Sequence, residues 1–173
     1  MSYNNSTIKI QSPDVVYNSD NIEAKYTYQT TRVVKDSASG STTVHPINEN
    51  FMFKTSTTVP KLGVMLVGWG GNNGSTITAG VLANKLKSTW YTKAGKHEAD
   101  YLGSLTQAST MKLGMNDQGE PVHIPFKDIL PMVCPNDIVF GGWDISSLDL
   151  GESMRRAEVI DYNLQEQLRP HMT

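Results

Sequence analysis

The sequence predicts an α/β fold, in which a doubly wound and mainly parallel sheet follows an irregular β-rich arm. Two successive units of strand, glycine turn and helix, at residues 62–86 and 137–168, predict the parallel sheet. The arm is predicted by a change in amino-acid composition at Pro60. Before this residue, Thr, Ser, Asn and Val are frequent and occur in short strand-like segments. We therefore divide the chain into an arm at residues 1–59 and a sheet domain at residues 60–173.

Composition and charge narrow the class of protein. The 173 residues include 15 Lys and Arg against 17 Asp and Glu, so the formal net charge is −2. This balance gives no electrostatic basis for binding nucleic acid or an anionic membrane surface. The hydrophobic share of 38% is enough for a buried core. We see no secretory pattern and no apolar run of the ~20 residues that a membrane helix needs, so we expect a soluble, cytoplasmic protein.

Cysteine and histidine usage argues against a metal site. The one cysteine, Cys134, excludes an internal disulfide and a multi-cysteine zinc site, and its apolar neighbours predict a buried, unreactive thiol. The four histidines are scattered along the chain, without the spacing of metal ligands or of a catalytic triad. We therefore assign no metal ligand, and we give no histidine a catalytic role.

Three short segments of the arm have the period-two alternation of a β-strand. They are centred on Lys9, Thr27 and Met52. The polar run at residues 36–41 lies between the second and third segments and is typical of a turn or loop. The arm is therefore predicted to be β-rich without forming a self-sufficient domain.

The first strand–turn–helix unit begins with the apolar run at residues 62–67, which is typical of a parallel strand buried on both faces. The glycine-rich run GWGGNNG follows at residues 68–74, and a helix is predicted from Ile77 to about Leu86. The two adjacent apolar faces of this helix are formed by Ile77 with Val81 and by Leu82 with Leu86.

The second unit has the same order of features. A short strand is predicted at residues 137–140, followed by the run GGWD and by one helix that continues to Leu168. Asp149 and Glu152 have the spacing of a capping box at the start of this helix. The long connection between the two units is predicted to contain another strand or hairpin. Because no strand follows the last helix, we expect an incomplete sheet.

A glycine turn between a strand and a helix can bind phosphate groups. Glycine lets the main chain approach a ligand, and the following helix presents free N–H groups with a partial positive charge. The spacing G-x-G-x-x-x-G is one residue longer than the common dinucleotide motif, and the absence of a lysine after Gly74 excludes a P-loop. A tight turn that binds no ligand is the alternative interpretation.

Other polar residues near the turn have two possible roles at this point. Asp144 follows a predicted strand, where open α/β sheets bind their ligands, and this position fits a ligand contact and a turn-capping carboxylate equally well. Asn72 and Asn73 are either turn formers or hydrogen-bonding partners of phosphate and ribose oxygens. For Trp69 and Trp143, at the ends of the two strands, we expect packing between layers.

At the glycine turn the sequence becomes similar to a known family. The run VPKLGVMLV at residues 59–67, which leads into GWGGNNGST, resembles eukaryotic myo-inositol-1-phosphate synthases. Four later segments resemble the same family in the same order, namely GSLTQAS at residues 103–109, PFK at residues 125–127, FGGWDIS at residues 140–146 and LQEQLRP at residues 164–170. The arm matches the family more loosely.

The resemblance implies an incomplete Rossmann-like domain that binds NAD. The residues that match the cofactor-binding positions of the family are Gly70, Gly71, Asn72, Asn73 and Asp144. This favours a ligand contact over a purely structural role for Asp144. It also accounts for the longer glycine spacing, which is the family's own variant.

The resemblance also implies an activity for the family. Its members are NAD-dependent isomerases that convert glucose 6-phosphate to inositol 3-phosphate by oxidation, enolisation, aldol closure and reduction, and they assemble as tetramers. Their catalytic lysines lie in a C-terminal portion beyond the matched segments, so we carry over no catalytic residue and expect no turnover by these 173 residues alone. The alternatives are a truncated, non-catalytic chain that binds nucleotide or joins full-length subunits, and an ordinary NAD dehydrogenase without its substrate domain.

Overall fold

A computed structural model describes residues 8–173, so the first seven residues of the predicted arm lie outside the described part of the chain. The chain divides into two compact units. The first contains residues 8–59 together with residues 128–131, and the second contains residues 60–127 and 132–173.

The first unit contains a three-stranded antiparallel sheet with the strand order β1-β2-β3. Its strands are β1 (Val15–Tyr17), β2 (Asn21–Lys35) and β3 (Thr42–Ser56). Strands β2 and β3 pair in one continuous register along their whole length. The polar run at residues 36–41 connects them as predicted, and the Asp36 carboxylate accepts the Ala38 N–H at 2.9 Å within this loop.

The arm is β-rich, but its main strands are 15 residues long instead of short pieces. The alternation is weak in the sequence because most residues of both strands are exposed, so neither face requires a regular apolar pattern. Cross-strand contacts add to the backbone pairing, including a hydrogen bond from Thr27 Oγ1 to Asn50 Oδ1 at 2.8 Å. The predicted strand around Lys9 is wrong, since this residue lies outside any strand.

The second unit contains a parallel strand pair, two short hairpins and three α-helices. Their bounds in chain order are β4 (Gly63–Val67), α1 (Asn72–Leu86), β5 (Thr89–Thr92), β6 (Gly95–Glu98), β7 (Thr110–Met115), β8 (Pro121–Pro125), β9 (Val139–Trp143), α2 (Leu150–Ala157) and α3 (Tyr162–Leu168). The hairpins β5–β6 and β7–β8 occupy the connection for which an additional strand or hairpin was predicted.

The predicted parallel sheet is present as the pair β4–β9. Its register runs from Gly63 opposite Val139 to Val67 opposite Trp143. The second strand begins two residues later than predicted, because Asp137 lies in a 3₁₀ turn at Pro135–Asp137. Burial of β4 on both faces was also predicted, but its exposed and half-buried residues alternate. Among the described residues β4 pairs only with β9.

The last helical pattern forms two helices instead of one. Helix α2 ends at Ala157, where Glu158 adopts a left-handed conformation with φ of 52°, and α3 begins at Tyr162. The capping prediction at the start of α2 is confirmed in part, since Asp149 is its N-cap and its carboxylate accepts the Glu152 N–H. Glu152 instead forms salt bridges to Arg155 and Arg169.

The core of the second unit lies between the three helices. Its buried apolar side chains are Ala79 and Ala83 of α1, Met154 of α2, Leu164 and Leu168 of α3, and Met172. Of the two apolar faces that the sequence indicates for α1, Leu82 packs against this core, whereas Ile77 and Leu86 are exposed. The small alanines instead face α2 and α3, since they allow the helices to approach closely.

Two further properties concern the surface. Cys134, predicted to be buried, is exposed, because it lies in the loop that leads into the 3₁₀ turn at Pro135–Asp137. Within residues 8–173, no helix has both the length and the apolar character required to cross a membrane.

Candidate functional site

The candidate site lies where the carboxyl ends of β4 and β9 meet. The strands are parallel, so the glycine turn after β4 and the Asp144 segment after β9 emerge at the same edge. Two consecutive amides of the turn, Gly68 N–H and Trp69 N–H, donate to the Trp143 carbonyl oxygen at 2.8 and 3.0 Å. These bonds fix the turn to the end of the neighbouring strand.

Helix α1 begins at Asn72, five residues before the predicted Ile77, with Gly71 as its N-cap. Asn72, Asn73 and Gly74 therefore form the first helical turn and are not part of the preceding loop. Their N–H groups have no acceptor within the helix, because the residues four positions earlier precede it. The Asn72 and Asn73 residues are also exposed. This geometry presents amide donors and the positive end of the helix dipole to the solvent.

Gly74 allows the helix to begin this early. A Cβ atom added at Gly74 would lie 2.2 Å from the Trp69 carbonyl oxygen, so only glycine fits at this close approach of helix and turn. The indole of Trp69 is held by the same helix, since its Nε1 donates to Thr78 Oγ1 at 2.9 Å. The expected packing role of Trp69 therefore fits its contacts, whereas Trp143 is exposed among the described residues.

Asp144 contacts the glycine turn directly. Its Oδ2 accepts the Gly70 N–H at 2.8 Å, and its Oδ1 accepts the Ser146 N–H at 2.8 Å. The Ser146 amide is the largest cause that lowers the pKa of Asp144 below its ordinary value of 3.8, and the Gly70 amide and the Arg156 charge act in the same direction. The carboxylate is therefore ionised at neutral pH and fixes one side of the turn.

The lowered pKa of Asp144 predicts an acid-sensitive contribution to stability. A carboxylate with a depressed pKa stabilises the folded state above its ordinary pKa of 3.8, and this contribution is lost as the pH falls through the folded-state value. We expect the free energy of unfolding of wild type to fall below pH 3.8 more steeply than that of Asp144→Asn. Urea unfolding between pH 7 and about pH 3 measures both slopes.

Asp117 provides a control for this prediction, because it is an exposed carboxylate in the turn between β7 and β8. Asp117→Asn removes one carboxylate without touching the glycine turn, so it measures the effect of the lost charge alone. An unchanged slope in Asp144→Asn would contradict the role assigned to Asp144.

Helix α2 contributes two residues to the turn that the sequence did not indicate. Arg156 Nη2 donates to the Gly70 carbonyl oxygen at 3.0 Å. Ser153 is fully buried, its Oγ has no hydrogen-bond partner among the described residues, and this oxygen lies 2.9 Å from a Cβ added at Gly70. Neither residue belongs to a local motif, so only the packing of α2 against α1 identifies them.

The predicted site residues are thus found around one turn. Gly70 and Gly71 form the loop, Asn72 and Asn73 begin the helix, and Asp144 lies within hydrogen-bond distance of Gly70. Free amides at a helix start, next to glycines that leave no room for a side chain, fit the pyrophosphate of a dinucleotide. Residues 8–173 contain no group of three or more His, Cys, Asp or Glu side chains that could hold a metal ion.

The parallel strands, the glycine turn and the early helix start define a dinucleotide-binding domain of the Rossmann type. Residues 62–173 match the family model for the NAD-binding domain of myo-inositol-1-phosphate synthase. The chain therefore belongs to the myo-inositol-1-phosphate synthase family, and NAD is the cofactor of the matched domain. The family, the fold class and the cofactor expected from the resemblance are confirmed.

Curated and solved relatives agree with this assignment. The chain is 60% identical to human inositol-3-phosphate synthase 1 over 163 residues, which cover 94% of this chain and 29% of the human protein. It is 55% identical to the synthase of rice, Oryza sativa subsp. japonica, over 165 residues, which cover 95% of this chain and 32% of the rice protein.

A solved structure supports the fold. Inositol-3-phosphate synthase from Caenorhabditis elegans superposes with a TM-score of 0.88 at 40% identity, over 95% of this chain and 32% of that chain. The chain thus spans less than a third of the length of these relatives.

Proposed function

We propose that this chain is the N-terminal portion of an inositol-3-phosphate synthase, which converts D-glucose 6-phosphate to 1D-myo-inositol 3-phosphate. The observation that carries the proposal is the glycine turn at residues 68–71, which is joined to the start of α1 and fixed by Asp144. The names of the relatives and the matched family domain support it. We also propose that residues 60–173 are the partial NAD-binding domain and that residues 1–59 are an arm.

Each predicted site residue has a distinct role in this proposal. Gly70 and Gly71 let the main chain approach the cofactor, and the amides of Asn72, Asn73 and Gly74 donate to the pyrophosphate oxygens. The side-chain amides of Asn72 and Asn73 hydrogen-bond to phosphate or ribose oxygens.

Asp144 keeps the turn in the conformation that binds the cofactor, and it also contacts the cofactor, as the family resemblance implies. NAD⁺, held by the amides of Asn72, Asn73 and Gly74, would supply reversible hydride transfer, so that the reaction would have no net redox change. This chain's own contribution is to bind and orient the dinucleotide.

The catalytic residues and the oligomer interface are proposed to lie mainly outside this chain. The relatives are more than three times as long as the segment that they share with it. We propose that the intact protein is a cytoplasmic homotetramer, as the family resemblance implies. The 173 residues alone are then expected to bind NAD without turning over sugar phosphate.

An activity assay on the full-length protein, of which this chain is proposed to be the N-terminal portion, tests this proposal. We expect inositol phosphate to form from glucose 6-phosphate in the presence of NAD⁺, with no net accumulation of NADH. Release of NADH with no ring closure would instead indicate an ordinary dehydrogenase. If the protein forms no product but binds NAD⁺, the assignment of the NAD-binding domain stands and the proposed activity is wrong.

A second candidate function is a non-catalytic chain that joins full-length subunits. It is favoured by the parallel pair β4–β9, because each strand pairs with only one neighbour among the described residues and has a free edge. Light scattering of a mixture of the short chain and the full-length enzyme tests it. A mixed species of intermediate mass is the expected result, and two separate species would exclude this function.

A further inference from the structure

We propose that Arg156 is a positioning residue for dinucleotide binding, because it holds the Gly70 carbonyl away from the site that the cofactor phosphates occupy. This inference rests on the proposed function, since it concerns the same glycine turn. Arg156 lies in the last turn of α2, 86 positions from Gly70 along the chain, and its Nη2 donates to the Gly70 oxygen at 3.0 Å.

The backbone of Gly70 is held by opposite charges on its two sides. Its N–H donates to the Asp144 carboxylate at 2.8 Å, and its C=O accepts from the Arg156 guanidinium. Hydrogen bonds with one charged partner are stronger than those between neutral groups. Asp144 and Arg156 therefore fix this residue more firmly than ordinary turn hydrogen bonds do.

The peptide group that follows Gly70 is fixed at both ends. Its C=O belongs to Gly70 and contacts Arg156, and its N–H belongs to Gly71 and donates to the Gly68 oxygen at 2.9 Å. A peptide group is planar, so these two contacts set the orientation of the whole plane. The next residue along the chain is Asn72, whose N–H is the first of the unpaired helix amides.

This orientation matters because the helix start binds an anion through its N–H groups. A carbonyl oxygen that turned towards the phosphates would repel them, since both groups carry negative charge. With Arg156 replaced by a neutral side chain, the plane between Gly70 and Gly71 loses the contact that holds its oxygen on the α2 side. The turn can then adopt conformations that present the oxygen to the ligand.

The adjacent Arg155 has a different environment and provides a matched control. It lies in the same turn of α2, but its guanidinium forms a salt bridge to Glu152 at 2.8 Å. Neutralising Arg155 removes the same charge from the same helix without touching the glycine turn. A difference between the two positions therefore reports the contact with Gly70 and not the net charge.

The test compares Arg156→Gln, Arg156→Lys and Arg155→Gln in the full-length protein of which this chain is proposed to be the N-terminal portion. Isothermal titration with NAD⁺ gives the dissociation constant, and the thermal midpoint without ligand reports folding. We expect Arg156→Gln to weaken NAD⁺ binding by about tenfold or more, which matches the loss of one charge-assisted hydrogen bond. Arg156→Lys, which can donate to the same carbonyl, should recover most of the affinity, and Arg155→Gln should change it by less than about twofold.

Three outcomes would overturn the inference while the proposed function stands. These are NAD⁺ binding by Arg156→Gln as tight as that of wild type, an equal loss in Arg155→Gln, and no recovery in Arg156→Lys. Failure of wild type itself to bind NAD⁺ would instead overturn the proposed function, and the role of Arg156 with it.

Discussion

Replacing Gly74 by alanine is expected to lower the free energy of unfolding by about 3 kcal/mol and to weaken NAD⁺ binding at least about tenfold. The added Cβ would lie 2.2 Å from the Trp69 carbonyl oxygen and 2.8 Å from the Trp69 Cα, and both are main-chain atoms. No side-chain rotation can relieve this contact, so the first turn of α1 or the glycine turn must move. Either movement displaces the amides that face the proposed pyrophosphate.

Gly80 is the matched control in the same helix. It is an exposed residue in the interior of α1, and a Cβ added there meets no atom within 4 Å. Gly80→Ala is therefore expected to raise the free energy of unfolding by up to about 1 kcal/mol, because alanine favours the helix more than glycine does. NAD⁺ affinity should not change.

Urea unfolding and NAD⁺ titration of both variants check this pair of predictions. Equal unfolding midpoints for Gly74→Ala and Gly80→Ala would show that the close approach of α1 to Trp69 is wrong. If Gly74→Ala is destabilised but binds NAD⁺ with unchanged affinity, the position of the first turn of α1 does not determine cofactor binding, and the second part of the prediction is wrong.

Local pattern and strand topology together explain why the centre of the site could be predicted. The apolar run at residues 62–67 and the glycines after it indicate a strand and a turn within one short window. Asp144 is 74 positions away from Gly70, but it follows a second strand of the same kind. Because parallel strands place their carboxyl ends at one edge of a sheet, the contact at 2.8 Å follows from the order of the elements.

The start of α1 could not be predicted in the same way. Glycine has a low helix propensity and asparagine favours turns, so the sequence places Asn72, Asn73 and Gly74 in a loop. The helix includes them because tertiary packing of Gly74 on Trp69 outweighs these local preferences. The sequence shows only that residue 74 is a glycine. The close contact that requires a glycine there is seen only in the folded structure.

The contribution of α2 was missed for a related reason. The sequence pattern shows no difference between Arg155 and Arg156, because both are adjacent basic residues within the one helix that it predicts. Only the packing of α2 against α1 turns Arg156 towards Gly70 and Arg155 towards Glu152. The sequence also does not indicate that Ser153 is buried without a hydrogen-bond partner among the described residues, because this depends on how the helices pack.

Replacing Gly142 by alanine is expected to separate β4 from β9 and to lower the free energy of unfolding by about 3 kcal/mol. A Cβ added at Gly142 would lie 2.1 Å from the Leu66 carbonyl oxygen, which belongs to the main chain of its pairing partner. The two strands must move apart, and the Trp143 carbonyl then no longer accepts the amides of Gly68 and Trp69. The glycine turn and the Asp144 segment are then no longer held together at the same edge of the sheet.

Gly141→Ala is the control for this change, because it lies next to Gly142 in the same strand. Its added Cβ would meet the Met65 Sδ at 3.1 Å, and Met65 is exposed, so a flexible side chain can rotate away. We expect a loss of about 1 kcal/mol or less. Urea unfolding measures both variants, and hydrogen exchange of the Gly68 and Trp69 amides reports whether the edge has opened. Protected amides in Gly142→Ala would contradict the prediction, since they require the β4–β9 pair to remain closed.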